Sequence, residues 1–400
     1  MQITWNIEPV ASYDVCVCGG GPAGFCAAVA AARNGARTVL LEHYGVLGGA
    51  MTVGGVPAPA LFHAHGKQII SGIGWELMVH LAQNGDALLP QSPFLGAHPQ
   101  LAVRVNALKA AAAMDDFCLQ AGVALRFHHT VAHVVCQGGH IDALLIAEKA
   151  GLSALQAKIY VDCTGDGDVA AFAGAPFALS SSLQPGSFNV TLAGFDPHAI
   201  DRAQADALFQ QANLDGRLCQ EDVWGGRGTH CGSLWNGMGS NLNHVYPLNG
   251  ADSDSRSEAE IRARKSVARL VDWLRTDVPG CEKAYVAAAA PASWARESRR
   301  IEGRKTITGA DYLAGVVPPD AICASYYPID IHTHGEDALI NRFHAAGRVP
   351  GIPYGALVPC TLHNLLVAGR CISGDREAQS AYRVQASCMA MGEAAGTAAA

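Results

Sequence analysis

Charge is scarce in this chain. Only 16% of its 400 residues are Asp, Glu, Lys or Arg, they sum to −7, and no long basic run occurs. A nucleic-acid surface needs a basic stripe or patch, so that partner class is set aside. Disorder is set aside too, because half the residues are hydrophobic and that much apolar surface builds a large core. Yet no uncharged apolar run reaches the ~20 residues of a membrane-spanning helix. The start, MQITWNIEPVASYD, lacks the basic-then-apolar order of a secretory signal. The 13 cysteines are scattered singly with no C-x-x-C pair, which argues against an iron–sulfur site or a disulfide framework and predicts a reducing, cytoplasmic setting. Cys16 and Cys18 read as small buried residues of one strand.

Glycine, by contrast, is abundant at 44 residues, and its placement carries the reading. In YDVCVCGGGPAGFCAAVAAARNGARTVLLE, Tyr13–Cys18 is an apolar strand, and Gly19, Gly21 and Gly24 form a G-x-G-x-x-G turn. An alanine-rich helix follows, and Thr38–Leu41 is a second strand ending at Glu42. Gly19 permits the tight turn, Gly21 lets a diphosphate approach the backbone, and Gly24 lets the helix lie close to the sheet. The helix N-terminus attracts phosphate, and Glu42 stands where a carboxylate takes a ribose hydroxyl. Strand, turn, helix, strand and acid in this order predict dinucleotide binding.

Length suggests two domains at ~100–200 residues each. The loop HYGVLGGAMTVGGVP brings Gly48, Gly49, Gly54 and Gly55 close to something, and the cofactor is the natural object. Trp75–Leu81 reads as a short helix. Asn106–Ala121 reads as a helix with Leu108, Ala111, Ala112 and Leu119 on its apolar face and Gly122 as cap. Val123–Phe127, Thr130–Cys136, Ile141–Ala147 and Ala157–Val161 read as four strands of an antiparallel meander, with Gly138-Gly139 turning a hairpin. A second strand–glycine turn–helix follows in IYVDCTGDGDVAAFAGAPF, where Asp166 or Asp168 could also cap the helix. Ser257–Leu274 reads as a surface helix whose charges are a solvated face with i,i+4 pairs.

Two segments carry candidate chemistry. ARESRRI is either an exposed edge or a stretch whose charges pair inside a cleft, and Arg there suits bidentate contact to an anion. In SYYPIDIHTHG, Tyr326, Asp330, His332 and His334 share one face of a strand. Asp330 would orient His332, which titrates near neutrality and could exchange a proton. Pairing His63 and His65 with His332 and His334 would make a metal site, but the spacing lacks Cys or acidic ligands and none is assigned. The closing helix, Val384–Ala400, carries Gly392 and Gly396 for close packing. It has no capping signal at Ala400, which predicts an early end or continuation beyond it.

GGGPAG with Glu42, LGGAMT, DCTGDGDVAAFAGA, RESRRI, YYPIDIH and LLVAGRCISGDREAQSAYRVQASCMAMGEAAG together resemble the FAD-dependent oxidoreductase family of the glutathione-reductase-like, two-dinucleotide-binding superfamily. The resemblance implies an α/β fold: a Rossmann-like FAD-binding domain with a parallel central sheet and an antiparallel crossover meander, plus an α+β substrate domain. It implies FAD segments at 1–55, 102–178 and 355–400, and a substrate or cap domain from 56–101 and 179–354. By that similarity Gly19, Gly21, Ala23 and Gly24 hold the pyrophosphate and Glu42 the ribose. His43 follows Glu42 where relatives often carry Arg or Lys. Gly48, Gly49 and Thr52 lie along the cofactor, Val131 lies near adenine, and Thr164, Gly165 and Asp166 approach its centre. Gly369 and Arg370 close on the diphosphate or ribityl chain, with Arg370 where many superfamily relatives carry Asp. Val384, Gln385 and Ser387 meet the flavin edge.

No second G-x-G-x-x-G unit for a nicotinamide cofactor occurs. The expected activity is hydride transfer from a small polar substrate, at a C–OH or C–NH group, to the flavin. His332 serves as base and Asp330 as orienter, while Arg296, Arg299 or Arg300 anchors the substrate and Arg383 is a further candidate. The alternatives are reduction of an activated double bond, monooxygenation, and a non-catalytic electron-transfer subunit. Implied partners are the substrate and an external electron acceptor (oxygen, a quinone or another protein), with no nucleic acid or membrane and with a homo-oligomer as one assembly.

Overall fold

A computed structural model describes residues 7, 9–95, 100–219, 221–223, 231–237, 243–333 and 339–400. Its central element is the strand the glycine motif predicts, β1 (Pro9–Cys18), which runs into α1 (Pro22–Arg33) and then β2 (Thr38–Glu42). Val15, Cys16, Val17 and Cys18 are all buried, as expected of a parallel strand covered on both faces.

After α2 (Ile73–Gln83) comes α3 (Ala107–Ala121), capped by the Asn106 side chain at its start and by left-handed Gly122 at its end. Then follow β3 (Ala124–Phe127), β4 (Thr130–Gln137), β5 (His140–Glu148) and β6 (Gly151–Asp162). The sheet order is β3-β2-β1-β6-β5-β4, and β11 (Leu365–Val367) also pairs with β6. Strands β3, β2, β1, β6 and β11 are mutually parallel, whereas β6, β5 and β4 pair antiparallel.

Two expectations are corrected here. The strand at Ala124–Phe127 is not part of the meander but a parallel neighbour of β2, because α3 supplies the crossover that parallel pairing requires. On α3 the buried residues are Ala110, Ala111, Ala113, Met114 and Cys118, while Leu108 is 77% and Leu119 61% exposed. Small side chains, not the leucines, face the sheet side, because α1 runs close by and leaves little room.

Strand β6 is twelve residues long and, on the side away from β1, serves two partners in turn. Its first half pairs with β5, with Leu155 opposite Leu144, and its last residues pair with β11, with Tyr160 opposite Leu365. That register aligns Cys18, Asp162 and Val367 at one edge of the sheet. The chain then continues into α4 (Asp168–Phe172), β7 (Val190–Ala193), α5 (Arg202–Leu214), α6 (Ser253–Asp277) and β8 (Tyr285–Ala289). After these come β9 (Ile329–His332), β10 (Leu339–Arg342), α7 (Arg376–Tyr382) and α8 (Gln385–Ala399).

Two hydrophobic cores form. The smaller gathers residues between Phe188 and Ala295, centred on α5 and α6. The larger includes α2 residues such as Leu77 and Met78, and also Ile301, Tyr312, Ile329 and Ile352. Both α2 and residues of 301–352 thus pack into the core around the sheet. On α6, Ile261 is 48% exposed, and the charges mostly reach other segments. Arg262 pairs with Glu221 and Arg269 with Asp222, alongside one i,i+4 pair, Arg264–Glu260. Among the described residues, no helix is long and apolar enough to cross a membrane.

Candidate active site

At the carboxyl edge of β1, β6 and β11 lies a cleft of about 1350 Å³, counted out to its mouth. Open α/β sheets bind ligands at this edge. One end is built by Glu42, which is 4% exposed. Its carboxylate accepts the Gly20 and Tyr44 N–H groups, both at 2.7 Å, and lies 3.1 Å from His43 Nδ1. His43, His129, Thr130 and Val131 line the same end.

Gly19 turns with φ +98, and a Cβ there would lie 2.5 Å from the Cys163 carbonyl oxygen. Gly21 is the N-cap of α1 and brings no capping side chain. A Cβ built on it meets nothing closer than Gly49 Cα at 4.0 Å, so the helix start is open to the cleft. Gly24 has another task. A Cβ there would sit 1.7 Å from the Gly19 carbonyl oxygen, and the residue seats the helix on the turn without reaching the cleft wall.

The second glycine turn is organised from beneath by Asp162. This buried carboxylate accepts bonds from the Thr164 N–H, the Thr164 hydroxyl and the Ala170 N–H at 3.0, 2.7 and 3.0 Å. Burial pushes its pKa up to about 6. Gly167 caps α4 in a left-handed conformation without a side chain, so neither Asp166 nor Asp168 is the cap. Asp166 accepts from Arg370, from the Ser298 hydroxyl and from Arg256. Burial would raise its pKa, but the guanidinium groups of Arg370 and Arg256 outweigh that and hold it low. Arg370 also donates to Gly165 O at 2.9 Å and lies over the Trp294 ring, 5.2 Å from its centroid.

Thr164, Gly165, Asp166, Gly49, Gly369, Arg370, Arg383 and Gln385 all line the cleft, as do Gly19, Gly21, Ala23, Glu42, His43 and Val131. Gly48, Thr52, Val384 and Ser387 do not. The Thr52 hydroxyl donates to Leu47 O at 2.7 Å and braces the loop from behind. Ser387 is fully buried and bonds Ser325, which bonds Tyr312, each at 2.8 Å. A helix presents one side to the cleft, and Gln385 and Cys388 occupy it. Gln385 Nε2 donates to Val56 O at 2.8 Å, while its buried Oε1 has no hydrogen-bond partner. A buried acceptor left unpaired is costly, and it belongs to a residue that lines the cleft.

Arg383 joins this cleft to a polar cluster. It donates to Asp330 O at 3.3 Å and lies 3.6 Å from the Asp330 carboxylate. On β9, Asp330 and His332 project to one face, with 3.2 Å between Asp330 Oδ2 and His332 Nε2. Ile329 and Ile331 point into the core, as the period of two predicts. Arg296 reaches the same place, donating to Pro185 O at 2.8 Å and lying 3.2 Å from His244 Nε2. The His244 and His332 rings meet edge to face, centroids 4.8 Å apart. Behind them, Glu297 accepts from Gln184 and Arg376, and the Gln184 side-chain Oε1 accepts the His332 N–H. Thus the charges of ARESRRI are paired inside rather than exposed on an edge.

Burial and the Arg296 charge push His332 down to about 4, against the pull of Asp330. Burial opposes ionisation of Asp330, but His332, Arg383 and Arg296 together hold its pKa low. Burial, reinforced by Arg383, pushes Arg296 down to about 9.

One member of the expected catalytic set lies elsewhere. Arg299 pairs with Asp168 at 2.7 Å and stacks on Phe177. Only Arg300–Ile301 is strand, so the irregular backbone before it turns Arg296 and Arg299 to different sites. His63 stacks on Phe94 and His65 meets Tyr326 edge to face, well apart in their contacts from His332. His334 lies outside the described residues, among which no group of three or more His, Cys, Asp or Glu is arranged to hold a metal. Four residues escaped the sequence reading: Arg256, Tyr44, Trp294 and His244. Only Trp294 had a signal, since it stands two residues before Arg296.

A glycine-turn cleft at the parallel strands' carboxyl edge, with the acid Glu42 at one end and Arg383 leading from it to a buried His–Asp–Arg cluster, has the layout of a dinucleotide-cofactor site. Its profile decides which kind: the family described as FAD dependent oxidoreductase matches residues 14–400. The chain belongs to that family, and it is an FAD-dependent enzyme. Among curated relatives it is similar to dihydrolipoyl dehydrogenase of Trypanosoma brucei brucei, 51% identical over 53 residues, which is 13% of this chain and 11% of that protein. It is also similar to the mitochondrial dihydrolipoyl dehydrogenase of Schizosaccharomyces pombe, 46% identical over 52 residues, 13% and 10% of the two chains. These matches span about a tenth of the relatives' length. Among solved structures it is similar to a geranylgeranyl bacteriochlorophyll reductase-like protein from Thermoplasma acidophilum, with 12% identity, TM-score 0.45, and 97% of this chain and 77% of that one covered. A flavocytochrome c3 fumarate reductase in its open conformation gives 13% identity, TM-score 0.43, and coverages of 98% and 78%.

Proposed function

We propose that this chain oxidises a small polar substrate at a C–OH or C–NH carbon, with His332 taking the proton. The observation that carries the reading is the buried His332–Asp330 pair between Arg296 and Arg383, at the end of the cleft that Arg383 and Gln385 line. The open helix start at Gly21 and the unpaired Gln385 Oε1 fit FAD. Gly19, Gly21, Glu42 and Gly369 would hold its adenosine diphosphate half, and Gln385 would donate or accept at its ring. The chemistry FAD supplies when bound is acceptance of a hydride from a substrate carbon.

Oxidising a C–OH or C–NH group releases a proton as well as a hydride, so a neutral base must stand ready. His332, with its pKa near 4, is neutral at pH 7. Asp330 orients the ring through Nε2, and ionised Asp330 stabilises the imidazolium once it forms. Arg296 and Arg383 bring two positive charges against the one of Asp330, which favours an anionic substrate group, and Arg binds a carboxylate through paired N–H groups. The test is anaerobic mixing of the oxidised holoenzyme with hydroxy and amino acids. Loss of the flavin's visible absorbance is expected with at least one of them.

A second reading has an observation of its own. Arg296, pushed down to about 9, is a better proton donor than an ordinary guanidinium, which would suit reduction of an activated double bond. Under that reading the oxidised enzyme stays coloured with every alcohol and amine, and the chemically reduced enzyme regains colour when an electron-poor alkene carboxylate is added.

The pH dependence follows from the base. An exposed imidazole base with its pKa of 6.5 loses function as pH falls below that value. His332 keeps its base form down to about 4. The kcat/KM for flavin reduction should therefore stay flat from pH 7 through 5 and fall only on approach to 4. A limb centred near 6.5 would remove buried His332 from the role.

A further inference from the structure

We infer that Arg256, carried by the substrate-side helix α6, is a ligand of the FAD diphosphate, supplied from across the cleft. Two observations point to it. Arg256 lines the same cleft as Gly19, Gly21 and Arg370, although it belongs to a helix whose buried face packs in the other core. And it occupies the first turn of α6, after the N-cap Asp252, where the helix dipole disfavours a cation. A residue held at the wrong end of a helix for its charge has a compensating partner.

The partner now in place is Asp166. Arg256 Nη1 donates to Asp166 Oδ2 at 3.2 Å and to Gly250 O at 3.0 Å, and its charge favours ionisation of Tyr44, which lines the same cleft. Gly250 makes the approach possible, since a Cβ there would lie 2.6 Å from Asp166 Oδ1. Arg370 holds the other oxygen of the same carboxylate. Asp166 thus presets two guanidinium groups, one from each side of the cleft. Tyr44 follows Glu42 at the adenosine end and Arg370 follows Gly369 at the far turn, so Arg256 stands between them. That is where the cofactor's two phosphates lie if its adenosine ribose meets Glu42.

Charge supports the assignment. Glu42, Asp166 and Asp168 stand against Arg256, Arg370 and Arg383 in the cleft wall, and Arg299 neutralises Asp168 from behind. Asp330 offsets Arg383 in the same way, so four carboxylates face four guanidinium groups. Without Arg256 the balance is negative, and a dianion would meet net repulsion. With it, charge-assisted bonds to phosphate oxygen become available from a side chain with five N–H donors. Cofactor binding then also ties the α6 side of the molecule to the sheet.

The test uses calorimetric titration of the FAD-stripped protein with adenosine, AMP, ADP and FAD, for wild type, Arg256→Gln and Arg256→Lys. It rests on FAD occupying this cleft, and failure of wild type to bind FAD would sink that reading rather than this one. For Arg256→Gln, ADP and FAD affinity should fall about ten- to a hundredfold, the effect of removing a hydrogen bond to a charged group. Adenosine affinity should stay the same. Arg256→Lys should fall between wild type and Arg256→Gln for ADP, and its unchanged adenosine affinity reports an intact cleft if the glutamine variant folds poorly. Unchanged ADP affinity in Arg256→Gln overturns the proposal, leaving Arg256 as a partner of Asp166 alone. An equal loss for adenosine and ADP overturns it too, because the cleft would then have changed shape.

Discussion

His332→Ala should slow substrate-driven bleaching of the flavin by about 10²- to 10⁴-fold, the range a positioned general base contributes, with FAD still bound. The two halves of this result come from different parts of the geometry. His332 touches Asp330, His244 and Gln184 and is not in the cleft wall, so its side chain can go without loosening the cofactor. Its backbone N–H bond to Gln184 also survives truncation, and β9 stays paired with β10. What is lost is the neutral acceptor between Arg296 and Asp330. Added imidazole should restore part of the rate, because the truncated side chain leaves a space of imidazole size beside an ionised carboxylate. A merely structural histidine would show no such rescue. Unchanged bleaching kinetics in His332→Ala would remove the residue from the mechanism.

The cofactor half of this site was far more legible in the sequence than the catalytic half. Gly19, Gly21 and Glu42 act through backbone shape and one carboxylate at fixed chain spacing, so strand, turn, helix and acid can be read in order. Asp330 and His332 were legible for the same reason, being two apart on a strand. The cluster around them was not. His244 comes from a loop some ninety positions earlier than His332, and only the fold brings their rings together. Arg299 was grouped with Arg296 because both stand in one arginine-rich run, and the backbone, irregular until Arg300, turns them to different sites. Leu108 and Leu119 misled for a packing reason: the narrow space between α3 and α1 admits alanines, so the larger residues were turned outward. Ser387 and Val384 were assigned to the flavin edge by family resemblance. Which side of α8 faces the cleft depends on its rotation against α1, and no local pattern encodes that angle.

That rotation is set by two glycines, and Gly392→Ala should be among the most damaging substitutions in the chain. A Cβ at Gly392 would lie 2.0 Å from the Ala23 carbonyl oxygen, and one at Gly396 would lie 2.0 Å from that of Ala27. Both contacts are with backbone, which cannot rotate aside as a side chain does, so α8 must lift from α1. In an exposed helix the same change would gain about 1 kcal/mol from propensity. Here overpacking costs about 3 kcal/mol or more, at the upper end for a core insertion because the obstacle is main chain. The net expectation is a loss of about 2 kcal/mol, read as a lowered denaturation midpoint of the FAD-stripped protein. Thr397→Ala, exposed on the same helix, should change almost nothing. A second consequence ties the packing to function. Ala23 stands in the cleft wall directly after the Gly21 turn, and Gln385 and Cys388 line the cleft from α8 itself. Separating the helices moves both walls, so FAD affinity should fall with stability, although Gly392 lies outside the cleft wall. An unchanged midpoint with weakened FAD binding would place the glycine's role in the cofactor site alone. Unchanged values of both would mean that the helices are not locked at this crossing.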